Sequence, residues 1–169
     1  MDAMTALYSR RSIRLYTSKQ IPSNVVQDIL RAAMCAPSAG NERPWHFIVV
    51  TDRSILNEIP NFHPYAAMLK RAHTAVLVCG DVTLEQYKGY WVLDCSAATQ
   101  NILLAAHAKG LGAVWCGVYP SADRVKNFKN LFKLPEHIVP FSLIPLGFPD
   151  ETKQAFERFD TSRIHENRW

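Results

Sequence analysis

The stretch Tyr90–Lys109, YWVLDCSAATQNILLAAHAK, decides the fold, because it combines helical length with apolar residues on every side. A helix that is apolar all round is buried all round. A chain of 169 residues has little room to enclose such a helix within one copy. The stretch therefore predicts a central helix whose remaining face is covered by a second subunit, since obligate interfaces resemble a core cut in half. A central helix of a compact monomer remains the alternative.

Shorter elements surround this helix, and helices and strands are mixed without strict alternation. Apolar spacing and caps predict further helices at Asp2–Ser9, Ser23–Ala36, Ser54–Ile59, Pro64–Arg71 and Ser121–Phe132. Short apolar runs predict strands at Phe47–Thr51, Ala75–Cys79, Ala113–Tyr119 and Phe141–Leu146, the last with Pro140 at its start. The pattern indicates an α+β fold in which helices cover a small central sheet.

The length and composition predict one domain over residues 1–169, with residues 150–169 forming a C-terminal arm. The arm is polar, yet it carries four large apolar residues, so we expect it to pack on something, for example a partner subunit. These residues are Phe156, Phe159, Ile164 and Trp169.

Several classes of protein are excluded by composition. The net charge of +4 is modest and comes without long basic runs, so nucleic acid is not an expected partner. The longest apolar segment, Ile102–Val118, is interrupted by polar residues and glycines and is too polar to cross a membrane. No signal peptide is evident, which predicts a cytoplasmic protein. The four cysteines lie far apart and are expected to be free thiols, and no histidine or cysteine spacing predicts a metal site.

The segment Ser9–Tyr16, SRRSIRLY, is a candidate anion site. A phosphate monoester carries nearly two negative charges and needs several donors at once, which Arg10, Arg11, Ser12 and Arg14 can supply. A solvated basic face explains the same residues equally well.

Three glycine-containing segments are candidates for contact with a flat ligand. Residues 36–45, APSAGNERPW, carry small residues that permit close approach, with Ser38 and Asn41 as hydrogen-bonding groups, although an ordinary loop has the same composition. Residues 110–119, GLGAVWCGVY, lack the GxGxxG pattern of a dinucleotide fold. In residues 144–149, IPLGFP, Gly147 again permits close approach.

Taken together, five segments occur in a characteristic order that runs nearly end to end. They are RRSIR, APSAGNERPWHFIVV, the alanine-rich helix followed by GLGAVW, PLGFPDE, and RFDTSRIHENRW. In this order the chain resembles the short-chain branch of the FMN-dependent nitroreductase family. The resemblance implies an intertwined homodimer with two FMN sites between the subunits.

The resemblance also implies residue roles. Arg10, Arg11 and Ser12 match the motif that holds the phosphate and ribityl chain, and Arg14 matches the cation beside the N1–C2=O edge of the flavin. Pro37, Ser38 and Asn41 match the loop that reaches the flavin from the partner subunit, and Val114, Trp115, Cys116 and Gly117 match the strand beside the ring. Gly147 matches the glycine of the PLG turn. Arg158, or less favourably Arg163, matches the tail arginine at the phosphate.

The implied activity is reduction of nitro compounds, quinones or similar electron-poor small molecules by NADH or NADPH in a ping-pong exchange, with the chemistry residing in the flavin. The chain is short between Trp45 and Ala75, where larger family members carry extra helices, so an open substrate pocket is expected. Three alternatives remain open: a flavin storage or sensor protein, a related flavin enzyme with a non-nitro substrate, such as a dehalogenase or a flavin-destroying enzyme, and an interaction domain without cofactor.

Overall fold

A single five-stranded sheet forms the centre of the protein, whose computed structural model describes residues 1–169. The strand order is β1–β2–β5–β3, and β4 also pairs with β5. The strands are β1 (Trp45–Val50), β2 (Thr74–Asp81), β3 (Gly112–Ala113), β4 (Cys116–Gly117) and β5 (Ile138–Gly147). All of these pairs are antiparallel, and Ser12 adds a parallel bridge to Ala113.

Five α-helices flank this sheet, which confirms the predicted α+β class. They are α1 (Ala3–Ser9), α2 (Ser23–Met34), α3 (Arg53–Glu58), α4 (Trp91–Ala108) and α5 (Ala122–Phe132). Single 3₁₀ turns occur at Ala39–Asn41, Ile59–Asn61, Ala67–Lys70 and Thr161–Arg163. No helix is long and apolar enough to cross a membrane.

The two faces of the sheet carry separate hydrophobic cores, because successive strand residues point to opposite faces. In β2, Val76 and Val78 pack with α2 and α4, whereas Ala75 and Leu77 pack with Phe128 of α5 and the 3₁₀ turns. Both faces of β2 and β5 are therefore covered, and these two strands form the rigid centre on which the loops are mounted.

Helix α4 matches its prediction in extent, but a single chain does not cover it completely. Eight of its residues are buried against the sheet and α2, including Trp91, Ile102 and Ala106. The opposite side remains open, with Leu93 60% exposed and Ala97 and Leu104 only half-buried. These three residues share one face of the helix by their spacing.

The helix predicted at Pro64–Arg71 is only the 3₁₀ turn Ala67–Lys70, and of the other boundaries that differ from the predictions, three have identifiable reasons. Ser23 is the first residue of α2 and not its cap, because Pro22 occupies the cap position, and the helix ends at Met34 before reaching Ala36. Strand β5 begins earlier than predicted, at Ile138, and Pro140 lies inside it where the register with β2 shifts. Such irregularities accommodate proline, which cannot donate to the ladder.

The predicted strand Ala113–Tyr119 is divided into β3 and β4. The register is continuous across the gap, since Ala113 pairs with Leu146 and Cys116 with Leu143. Pro145 lies opposite the gap and has no N–H to donate, so the ladder is interrupted there. The freed residues between the two short strands turn towards the candidate site.

Candidate functional site

An extended segment connects α1 to the sheet and carries the predicted anion-binding residues. Arg10 ends α1, with its N–H donating to the carbonyl of Ala6 at 3.0 Å. Ile13 then donates to the carbonyl of Ala113 at 3.0 Å, next to the Ser12–Ala113 bridge. Arg10 and Arg14 therefore stand at the two ends of a segment that spans at most about 14 Å.

Beside Arg10 lies an open cavity of about 740 Å³ between α1 and the C-terminal arm. The structure brings Arg10, Arg11 and Arg158 together around it, and two of these guanidinium groups lie over the ring of Phe156. The remaining lining residues are Leu7, Tyr8, Ala155, Glu157 and Phe159. Three cations thus converge on one concave surface.

The three arginines differ in how their donors are used. Arg11 donates to the carbonyls of Tyr8, Arg10 and Gln154 at 2.8, 2.6 and 3.1 Å, so it ties the arm to the end of α1. The side chains of Arg10 and Arg158 make no hydrogen bond or ion pair. Burial lowers the pKa of Arg10, and the charges of Arg158 and Arg11 lower it further. Arg10 remains a cation, but it lies among like charges without an anion.

The acidic group in this lining does not neutralise the arginines. Glu157 accepts the backbone N–H groups of Arg158 and Phe159, each at 2.8 Å, and these bonds lower its pKa. Arg163 lies outside the cavity, where its guanidinium pairs with Asp160 at 3.0 Å. Of the two arginines predicted in the arm, Arg158 is the one beside Arg10.

Arg14 lies at a second open cavity, of about 400 Å³. One wall is the interrupted strand, formed by Val114, Trp115, Cys116 and Gly117, and the other is formed by Pro64, Tyr65, Ala67 and Met68. Arg14 and residues 114–117, which were predicted to contact one ring, therefore line the same cavity. This cavity is lined mainly by apolar and aromatic groups with one cation, which is a surface suited to a flat, electron-rich ring edge.

Two polar side chains, the buried His63 and the half-buried Arg124, hydrogen-bond the strand wall. The carbonyl of Gly117 accepts from Nε2 of His63 at 3.0 Å and from Arg124 at 2.9 Å. The thiol of Cys116 donates to the carbonyl of Tyr65, and burial raises its pKa to about 11. Cys116 is therefore a neutral wall residue at physiological pH.

The loop Ala36–Trp45 does not join either cavity within the chain. Pro37, Ser38 and Asn41 are absent from both linings, although the hydroxyl of Ser38 accepts from the N–H of Arg43 at 3.0 Å and shapes the loop. Asn41 has a left-handed backbone with φ of 58°. Pro37 and Asn41 are exposed and Ser38 is half-buried, whereas Glu42 of the same loop is buried.

Gly147 does not lie in an exposed turn. It is buried at the end of β5, paired with Gly112, and a Cβ there would lie 2.7 Å from ring atoms of Tyr16. Close packing of Tyr16 accounts for the glycine without any ligand contact.

Comparisons with known proteins identify the family of the chain. The model of the nitroreductase family matches residues 7–82 and 63–148. The chain belongs to the nitroreductase family. It is 55% identical over its whole length, and over 88% of the other chain, to a protein of Methanothermobacter thermautotrophicus provisionally named NADH dehydrogenase/NAD(P)H nitroreductase.

Two solved structures have the same fold as this nitroreductase-family chain. One, from Bacteroides thetaiotaomicron and provisionally named NADH dehydrogenase/NAD(P)H nitroreductase, has a TM-score of 0.95 and 43% identity over 99% of this chain and 98% of the other. The second is the FMN-dependent nitroreductase of Clostridium difficile, with a TM-score of 0.91 and 30% identity over 98% and 99% of the two chains.

Sequence patterns did not reveal the polar side chains that hold the strand wall and the loop of this nitroreductase-family chain. His63, Arg124 and the pair Glu42–Asp94 lie in separate segments, and no spacing signal connects them. Asp94 holds the loop through the N–H of Ala39 at 2.9 Å. No three His, Cys, Asp or Glu side chains lie close enough together to hold a metal ion.

Proposed function

We propose that this protein is an FMN-dependent oxidoreductase that uses NADH or NADPH to reduce nitro compounds, quinones or similar electron-poor small molecules in the cytoplasm. The active form is a homodimer of one domain, residues 1–169, with the arm 150–169 reaching towards the partner. One observation carries the proposal. Arg10 and Arg158 are cations without an ion-pair partner at one cavity, and the segment that begins at Arg10 ends at Arg14, which lines a second, partly apolar cavity.

The donor set fits FMN. A phosphate dianion needs charged donors that are not already paired with carboxylates, and Arg10 and Arg158 meet that need because neither forms an ion pair with Glu157 or any other carboxylate. Arg11 contributes charge, while its hydrogen bonds hold the arm in place. Ser12 lies between the two cavities, where a ribityl chain would pass. When bound, FMN supplies a two-electron redox centre that serves both substrates in turn.

Arg14 is assigned the role of stabilising negative charge on the flavin ring. Its guanidinium makes no hydrogen bond or ion pair in the chain, although its backbone N–H is held by Glu151 at 2.5 Å. A fixed cation next to the ring edge stabilises negative charge that develops there, an effect worth roughly a few kcal/mol in a water-poor site. Val114 to Gly117 orient the ring against this charge and exclude water from one side.

A homodimer is supported by the apolar groups that one chain leaves open. Besides the open face of α4, large apolar side chains are exposed on α1 and along the arm, and residues 152–169 are all exposed. Contiguous apolar surface of this kind marks an interface. The loop with Pro37, Ser38 and Asn41 is assigned to the partner's flavin, since it reaches neither cavity of its own chain.

The absorption spectrum of the purified protein tests the proposal directly. A yellow protein with oxidised-flavin bands, bleached rapidly by NADH or NADPH without oxygen and reoxidised by a nitroaromatic or quinone, is the expected result. Colourless protein that takes up no FMN when FMN is supplied in excess contradicts it. Bound flavin that neither nucleotide bleaches indicates a storage or sensor protein instead, and a bleached flavin that neither acceptor reoxidises indicates another substrate class.

Two arginine variants distinguish the binding of FMN from the tuning of flavin reduction. Arg10→Ala removes a charge-assisted bond worth about 1.5–3 kcal/mol, so FMN affinity should fall about 10- to 100-fold. Arg14→Ala should slow flavin reduction more than it weakens FMN binding, and equal losses in both would refute its tuning role. Arg31→Ala, at an exposed position on α2, is the matched control and should change neither quantity.

A further inference from the structure

His63 is a fully buried histidine that the proposed function does not use. It follows the 3₁₀ turn Ile59–Asn61, its ring packs edge-on against Phe128, and none of its surface is exposed. Both of its ring nitrogens have partners. Nδ1 accepts the backbone N–H of Tyr65 at 3.3 Å, and Nε2 lies 3.0 Å from the carbonyl oxygen of Gly117.

These two contacts determine the protonation state of the ring. An N–H aimed at Nδ1 requires a lone pair there, so the proton resides on Nε2 and is donated to the carbonyl of Gly117. Burial lowers the pKa of His63, and the charge of Arg124 adds to this, which favours the neutral ring. The ring is thus a fixed link between Tyr65 on one cavity wall and Gly117 on the other.

A second donor meets the same oxygen. Arg124 of α5 donates to the carbonyl of Gly117 at 2.9 Å, and its guanidinium lies 5.4 Å from the centre of the Tyr65 ring. Gly117 has no side chain to hold it, and nothing lies within 4 Å of the position that a Cβ would take. Its position therefore depends on strand pairing with Ser142 and on these two donors.

We propose that His63 and Arg124 are positioning residues, which fix the Gly117 peptide and thereby set the spacing between the two walls of the ring cavity. This rests on the proposed function, because the cavity is taken to receive the flavin. His63 acts at one atom, the carbonyl oxygen of Gly117, through its Nε2–H. It lines neither cavity, and β4 is otherwise held by pairing with β5 and by the bond from the Cys116 thiol to the carbonyl of Tyr65.

The first test needs no flavin. In the full chain without FMN, the ¹⁵N shifts of the His63 ring should identify the Nε2–H tautomer at neutral pH, and Arg124→Met should shift the amide resonances of Gly117 and Val118. An Nδ1–H tautomer, or amide resonances that do not respond, would overturn the proposal. This result stands whether or not the protein proves to be a flavin enzyme.

The second test uses the FMN-loaded enzyme and two variants that each keep one bond. His63→Gln retains a donor at the position of Nε2, whereas His63→Asn retains only the acceptor for Tyr65. At saturating NADH, His63→Asn should reduce its flavin about tenfold more slowly, because a misplaced wall lowers the population of productive geometry. Its FMN dissociation constant should change less than threefold, and His63→Gln should restore the rate.

Equal rates for His63→Asn and His63→Gln would refute the positioning role, even if both variants were less stable than the original protein. Arg124→Met should slow reduction in the same direction, and its effect should not add fully to that of His63→Asn, since both donors share one acceptor. If His63→Asn fails to fold, Arg124→Met alone decides: an unchanged rate and unchanged Gly117 resonances overturn the proposal. If the original protein binds no FMN, the proposed function fails, while the tautomer measurement still applies.

Discussion

The buried carboxyl pair Glu42–Asp94 leads to a prediction in which removing a charge stabilises the protein. Asp94, 4% exposed on α4, accepts the N–H of Ala39 through Oδ1 at 2.9 Å. Glu42, 8% exposed, accepts the N–H groups of Gln86 and Tyr87 through Oε2. The other oxygen of each carboxyl group is buried without a partner unless a proton is held between them.

The pKa of Asp94 indicates where that proton resides. Burial raises the pKa of Asp94, and its contact with Glu42 and the charges of Glu42 and Glu85 raise it further, although the bond from Ala39 acts in the opposite direction. Between the unfolded pKa, near 3.8, and the higher folded pKa, the native state binds more protons than the unfolded state. Stability therefore falls as the pH rises through this window.

Asp94→Asn should abolish this loss. The Asn side chain keeps an acceptor for Ala39 and supplies a permanent N–H donor to Glu42, so no proton has to be retained. An unsatisfied buried polar group costs about 1–3 kcal/mol, and the variant should gain that amount at pH 8. For a chain of this size each 1 kcal/mol corresponds to a rise of about 2–4 °C in Tm. The gain should be smaller at the lower pH, because the raised pKa of Asp94 makes retention of the shared proton more favourable there.

The measurement is urea unfolding of both proteins at pH 5 and pH 8, at one protein concentration because a dimer is expected. Asp28→Asn is the matched control, since Asp28 lies near the surface and its bond to Lys109 lowers its pKa. Its contribution is present above its unfolded pKa, near 3.8, so the control should lose stability slightly at both pH 5 and pH 8. If Asp94→Asn were less stable than the original protein at pH 8, or gained equally at both pH values, the shared-proton account would be wrong.

Two further predictions concern packing and thiol chemistry. Gly147→Ala should cost about 1–3 kcal/mol in urea unfolding, because the new methyl group meets the ring of Tyr16, whereas Gly117→Ala should change the free energy of unfolding by less than about 0.5 kcal/mol. In the folded protein one thiol, that of exposed Cys35, should react rapidly with a disulfide reagent, and all four should react after denaturation; a second fast thiol would contradict the burial of the others. Burial raises the pKa of the remaining three, Cys79 to about 12, Cys116 to about 11, and Cys95 also upward.

The fold was largely predictable because its strongest signals are local. Helix α4 and α5 follow from apolar spacing and from their end residues, and β2 follows from an uninterrupted apolar run that the structure buries on both faces. The break between β3 and β4 was not predictable from residues 113–119 themselves. Its cause, Pro145, lies on the neighbouring strand, and only the pairing register brings it opposite the gap.

The sequence predicted the charged residues of the candidate site better than the residues that hold its walls in place. The arginine-rich segment stands out because three cations within five residues are uncommon without a role, and the structure brings two of them to Arg158. Arg11 shows the limit of this reasoning, since only the fold reveals that its donors are used by backbone carbonyls. His63 likewise acquires its meaning from a carbonyl 54 residues away in sequence.

The acidic residues near the site explain why its cations remain available. Glu151 is bound to the N–H groups of Arg14 and Leu15, and Glu157 to those of Arg158 and Phe159, and in both cases these backbone bonds lower the pKa of the carboxyl group. The other oxygen of Glu151 pairs with Lys153 at 3.4 Å, and neither carboxylate pairs with Arg10, Arg14 or Arg158. The fold therefore maintains an electropositive concave surface. This surface is unfavourable for Arg10, because its charge is partly buried and lies near the charges of Arg158 and Arg11. A bound dianion offsets that cost directly, so the same arrangement that weakens the empty chain favours retention of a phosphorylated ligand.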